Sequence, residues 1–139
     1  LWNHKADVAF PSATQNEINA KDAQNLVSNG AKAISEGANM PTTPEGIKVF
    51  MDSGILYGLG KAANAGGVAV SGLEMSQNSL RLSWSREEVD NKLKGIMHSI
   101  QKDAYETSKA YGDPGNFPMG ANIAGFTKVA KAMLAYGVV

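Results

Sequence analysis

Cysteine is absent from the 139 residues, which excludes a disulfide framework, a zinc–thiolate site and an iron–sulfur cluster. Histidine is scarce. His4 and His98 are the two present, too far apart along the chain for a local metal motif, and no metal is expected. Net charge is lacking as well, because thirteen basic and thirteen acidic residues cancel. With no run of Lys or Arg, a polyanion would meet no steering field, and nucleic acid is not an expected partner. No apolar stretch has the length of a membrane span, so no membrane partner is expected either. The opening LWNHKADVAF has neither a signal-peptide core nor an initiator Met, which points to a cytoplasmic segment taken from something longer. Missing too are a GxGxxG fingerprint, a P-loop and any credible Ser–His–Asp set, and no catalytic residue is assigned.

What is present is the material of about one domain, with a core that buries roughly two-thirds of the unfolded surface. ADVAF (6–10), AKAIS (31–35) and GILYG (54–58) read as three short strands. Between the first two, Asn19 can cap a helix whose apolar face is Ala23, Leu26 and Val27 and which Gly30 ends. Between the second and third, Thr43 caps, Pro44 takes the first helical position, Ile47, Val49, Phe50 and Met51 face a core, and Gly54 follows the end. Strand, helix, strand, helix, strand implies right-handed crossovers and a parallel sheet. Beyond it the chain is helical: Gly67 to about Leu82, then a long helix opened by the capping box of Ser85 and Glu88. The long helix has the stripe Val89, Leu93, Ile96, Ile100, Ala104 and Tyr111, and the residues from Gly112 to Gly115 break it. A last helix from about Ala121 to Tyr136 puts Ile123, Phe126, Val129, Ala130 and Met133 on its inward side.

The fold class expected is therefore α/β, a partial doubly wound, Rossmann-like parallel sheet of about three strands followed by a long helical C-terminal region. Three strands leave an edge open and too little sheet for so many helices. The 139 residues are therefore expected to be the second half of a doubly wound, nucleotide-binding domain.

Ligands of such a sheet bind beyond the carboxyl ends of its strands. There the sequence offers PSATQNE, EGANMP and GLGKAANAGG, loops of small residues with neutral donors and acceptors that suit ribose hydroxyls and a carboxamide. Gly66 and Gly67, without Cβ atoms, would let a ligand approach the backbone at the start of a helix, where N–H groups are unpaired. Each residue has an ordinary alternative. Thr14, Gln15 and Asn16 can be turn and cap residues, Asn39 a turn residue fixed by Pro41, and Lys61 a solvated charge. Asn64, between Ala63 and Ala65, has no apolar role; Ser71 shares a face with Val68 and Met75, and its hydroxyl can bond back to the carbonyl four residues earlier.

PSATQNE, EGANMPTT, KAANAGGVAVSGLEMSQN, RLSW and GANIAGFTKVAKAML follow one another as in the hexameric glutamate dehydrogenases, and the chain resembles the microbial NADP-using branch over nearly its whole length. The resemblance implies reversible oxidative deamination of L-glutamate to 2-oxoglutarate and ammonium, with NADP, or alternatively NAD, as cofactor and a homohexamer as the full-length assembly. It implies that Ala13, Thr14 and Gln15 line the adenosine side of the cofactor, that Asn39 lies by the nicotinamide ribose and that Asn64 holds the ring carboxamide. Val68 and Ser71 would reach the substrate, Ser71 donating to its side-chain carboxylate. Ser12 stands where many members carry cysteine. The substrate-binding lysines and the proton-shuttling aspartate belong to the family's amino-terminal domain, so the chain by itself is expected to be inactive. Two rivals stay open: a leucine- or phenylalanine-type dehydrogenase, and a non-catalytic nucleotide-binding module that kept the fold alone.

Overall fold

A computed structural model describes residues 1–137. In chain order the elements are β1 (Val8–Ala9), α1 (Ala20–Ser28), β2 (Ala33–Ser35), α2 (Pro44–Ser53), β3 (Leu56–Gly58), α3 (Gly60–Ala63), α4 (Ala65–Ser79), α5 (Arg86–Ala110) and α6 (Phe117–Tyr136). The strands form one parallel sheet in the order β1-β2-β3, so the α/β class and the partial doubly wound sheet stand as expected.

Local chemistry sets the boundaries of α1 and α2. The Asn19 side chain accepts from the N–H groups of Lys21 and Asp22, and Asp22 reaches back to the Asn19 N–H. Thr43 accepts from the Gly46 N–H, Pro44 follows it, and Gly54 ends α2 with φ 70°. Strand register then decides what is buried. Ala9, Ile34 and Tyr57 lie opposite one another across the sheet and point into a core with Ile18, Ala23, Leu26 and Phe50. The rings of Phe50 and Tyr57 have centroids 5.5 Å apart. The alternate row is Val8, Ala33 and Leu56, and Leu56 is 68% exposed. That face looks across a cleft of about 610 Å³ towards Met97, Ile100 and Ala104 of α5 and Phe117 of α6. Only one face of the sheet is sealed.

The helical half departs from its sequence reading in three places. α5 begins at its Ser85–Glu88 capping box and its stripe from Val89 to Ile100 is half-buried with Ala104 buried, but Tyr111 is the C-cap residue and exposed. α6 begins at Phe117, earlier than Ala121, because Asn116 caps it by accepting from the Met119 N–H at 3.0 Å. Phe126, Val129 and Met133, expected inward, are 73%, 60% and 56% exposed. The half-buried positions of the helix body are Ile123 and Ala130, as expected, with Ala121, Ala124 and Thr127. The reason is close packing at Gly120, where a Cβ would overlap the Ala104 carbonyl; contact that tight selects a face of mostly small residues and turns the bulky ones away.

Candidate functional site at the carboxyl edge of the sheet

The loops that follow β1 and β2 are laced into one unit. The Pro11 carbonyl accepts from the Gly37 and Ala38 N–H groups at 2.9 and 3.0 Å, and the Met40 carbonyl accepts from the Asn16 N–H at 3.0 Å. Asn16 (φ 57°) and Met40 (φ 54°) are both left-handed, a conformation that non-glycine residues hold only when their surroundings fix it. A few residues on, the Ile18 N–H donates to the Pro41 carbonyl and the Thr43 N–H to the Ile18 carbonyl, both at 2.9 Å.

The third segment is fastened to the second by Glu36, which follows β2 and is 1% exposed. Its N–H donates to the Gly58 carbonyl at 3.1 Å. Its Oε1 accepts from the Tyr57 hydroxyl at 2.7 Å and its Oε2 from the Gly60 N–H at 2.6 Å. A Cβ on Gly60 would lie 2.7 Å from the Ala38 carbonyl oxygen, so glycine is required by the closeness of the two segments. Burial, and next the hydrogen bond to the Glu36 carboxylate, push the Tyr57 phenol far above its ordinary pKa of 10.0, and it stays protonated as a donor. Thr42 Oγ1 is buried beneath this cluster without a hydrogen bond of good geometry.

The structure places Ala13, Thr14 and Gln15 exposed in the first loop, with the Ala13 N–H donating to Glu17 Oε1 at 3.0 Å. Asn39 is exposed in the adjoining second loop. Asn64 is half-buried at the junction of α3 and α4, with φ −87° and ψ −1°, and its amide makes no capping bond. Val68 and Ser71 follow on α4, both exposed. The Ser71 hydroxyl donates to the Gly67 carbonyl at 3.3 Å, which is the ordinary alternative weighed above, so its proton is engaged and its lone pairs are not. None of the seven carries a charge, and among the described residues no cluster of acidic, His or Cys side chains could hold a metal.

Three readings of the third segment are corrected. A helical turn, α3, precedes the long helix, and the Asn64 N–H donates to the Gly60 carbonyl at 2.9 Å, so the unpaired N–H groups expected at Gly66 and Gly67 belong to a start that lies earlier. Gly66 faces α5, where a Cβ would meet Leu93 at 3.4 Å and Met97 at 3.5 Å, whereas Gly67 faces open space; helix packing therefore accounts for the first glycine. Lys61 is not a free loop charge either, for its Nζ donates to Asn122 Oδ1 on α6 at 2.6 Å.

Glu36, Tyr57 and Gly60 were not among the residues singled out from sequence. The available signal was a lone acidic residue directly after a buried strand, where solvation is poor.

The sequence model of one protein family, described as Glutamate/Leucine/Phenylalanine/Valine dehydrogenase, matches residues 1–137. The chain belongs to that family. It is 59% identical over 138 residues to a glutamate dehydrogenase of Bacteroides thetaiotaomicron, covering 99% of this chain and 31% of that protein. It is 56% identical over 138 residues to an NADP-specific glutamate dehydrogenase of Helicobacter pylori, with the same coverage. A crystal structure of Plasmodium falciparum glutamate dehydrogenase superposes with a TM-score of 0.94 at 46% identity, covering 99% of this chain and 30% of that one. This member of the dehydrogenase family thus spans about a third of the length of the relatives it matches. Their printed names concern glutamate and, for the Helicobacter pylori enzyme, NADP.

Proposed function

We propose that the chain is the cofactor-facing part of an NADP-dependent glutamate dehydrogenase, which interconverts L-glutamate with 2-oxoglutarate and ammonium and for which NAD is the alternative cofactor. The observation that carries this reading is the joining of three loops that present uncharged amide and hydroxyl side chains at the carboxyl edge of a parallel sheet. The donor set fits the cofactor: amides and hydroxyls match ribose hydroxyls and a carboxamide, and Asn64 is left without a capping partner. Bound NADP supplies the ring that accepts hydride. Ala13, Thr14 and Gln15 line its adenosine side, Asn39 meets the ribose next to the ring, and Asn64 holds the carboxamide and so fixes which ring face is presented. Val68 contacts the substrate's aliphatic chain. Ser71 gives up its bond to Gly67 and donates instead to the side-chain carboxylate, an exchange favoured because a charged acceptor binds a hydroxyl more strongly than a neutral one.

No general acid or base stands among these residues, so the groups that activate water and move protons lie elsewhere in the enzyme. Residues 1–80 act as the second half of the cofactor domain and residues 81–139 connect it to the substrate domain, in a cytoplasmic homohexamer. Residues 138–139 lie outside the described structure. Among the described residues no helix is long and apolar enough to cross a membrane.

The complete gene product should reduce NADP in the presence of glutamate, and residues 1–139 alone should not. A complete product with no glutamate-dependent reduction would refute the function, and turnover by the 139-residue chain would refute the division of labour. A complete product that binds NADP in a titration yet shows no glutamate-dependent turnover would favour the non-catalytic nucleotide-binding module. Equal activity on leucine would favour the other branch of the family.

A further inference from the structure

Glu36 presents a carboxylate that a stability argument alone does not explain. It is 1% exposed, and no salt bridge reaches it among the described residues. Taking a carboxylate out of water is costly, and a hydrocarbon side chain of similar volume would fill the space at lower cost. What a hydrocarbon cannot do is accept two directed bonds from two different elements. Glu36 does so, one oxygen on the Tyr57 hydroxyl of β3 and the other on the Gly60 N–H that opens α3.

The fixed point is close to Asn64. Gly60 lies one helical turn before it, and the Asn64 N–H donates to the Gly60 carbonyl at 2.9 Å, so a shift at Gly60 is passed on to the junction. Glu36 also begins the loop that carries Asn39, and the Ala38 carbonyl abuts Gly60 where a Cβ would not fit. One buried side chain therefore sets the separation of the two asparagine-bearing segments.

We propose that Glu36 is a positioning residue, which by holding Gly60 fixes Asn64 relative to Asn39 and so fixes where a nicotinamide ring sits; the inference rests on the function proposed above. It differs from a purely structural part in what it predicts for the chemistry. When the ring is held loosely, hydride transfer slows relative to the other steps and its isotope sensitivity becomes visible.

The test uses the complete gene product with Glu36→Met, which keeps the unbranched length but removes both acceptor oxygens. Steady-state constants are measured with glutamate and with glutamate deuterated at the α-carbon. The expected result is a rise of about tenfold in KM for NADP, the equivalent of one lost hydrogen bond to a charged acceptor, and a larger deuterium isotope effect on kcat. The circular-dichroism spectrum should be unchanged. A folded variant with the wild-type KM for NADP and the wild-type isotope effect overturns the inference and leaves the function standing. An inactive wild type overturns both. Should Glu36→Met not fold, Glu36→Asp draws the carboxylate back from Gly60 by one methylene; the same shifts at smaller amplitude are expected, and their absence overturns the inference.

Discussion

Replacing Ser71 with alanine should stabilise the protein slightly while damaging its selectivity, and the two effects have separate origins in the structure. Ser71 is exposed within α4. Its one bond runs to the Gly67 carbonyl at 3.3 Å, long for a hydroxyl donor and open to water, so its loss costs little. Alanine is the better helix former by about 0.5 kcal/mol. The net change is a few tenths of a kcal/mol in favour of the fold, a rise of about 1–3 °C in Tm for a domain of this size. Against the substrate the balance reverses. A hydrogen bond to a charged group contributes about 1.5–3 kcal/mol, so Ser71→Ala should lower kcat/KM for glutamate by roughly ten- to a hundredfold. The control substrate is norvaline, which has a methyl group where glutamate has its side-chain carboxylate. Its kcat/KM should hardly change, because Ser71 has no charge to meet there. Thermal melting followed by kinetics on both substrates in the complete gene product decides the matter. An equal loss on glutamate and norvaline would refute the assignment of Ser71 to the carboxylate, and a drop in Tm would refute the account of its bond to Gly67.

Two further outcomes follow from the packing and the buried phenol. Gly120→Ala puts a methyl group onto the Ala104 carbonyl of α5, and should cost about 1–3 kcal/mol as the two helices part; an unaltered denaturant midpoint would show that the contact is looser than described. Tyr57 makes the protein sensitive to alkali. Below its ordinary pKa of 10.0 the phenol is protonated in both folded and unfolded chains and contributes no pH dependence. Above it the unfolded chain ionises and the folded one does not, so stability falls with rising pH, by about 1.4 kcal/mol per unit. Urea titrations between pH 9 and pH 11 should show a shallower decline in Tyr57→Phe than in wild type.

Much of the first half of the molecule was legible because its signals are local. Asn19 with Asp22, and Thr43 followed by Pro44, act within a single helical turn, and the strand–helix alternation fixes a parallel sheet without knowledge of any distant contact. The candidate loops were legible for a related reason, since topology alone puts Thr14, Asn39 and Asn64 at one edge once the sheet is parallel. Their spacing was not. It depends on Glu36, whose partners stand 21 and 24 residues away, and on a close approach at Gly60 that no composition or periodicity encodes.

The helical half shows the limit of periodicity more sharply. A repeat of three and four residues says which side chains of α6 share a face; it does not say which face meets which neighbour. Phe126, Val129 and Met133 share one, and the contact with α5 went to another because Gly120 lets the two backbones come nearer than any bulky side chain would. Large apolar residues mark a face that contributes most when covered, but their spacing does not say which element reaches them. Small residues decide the approach, large ones the energy of burial, and a sequence read alone weights the second over the first.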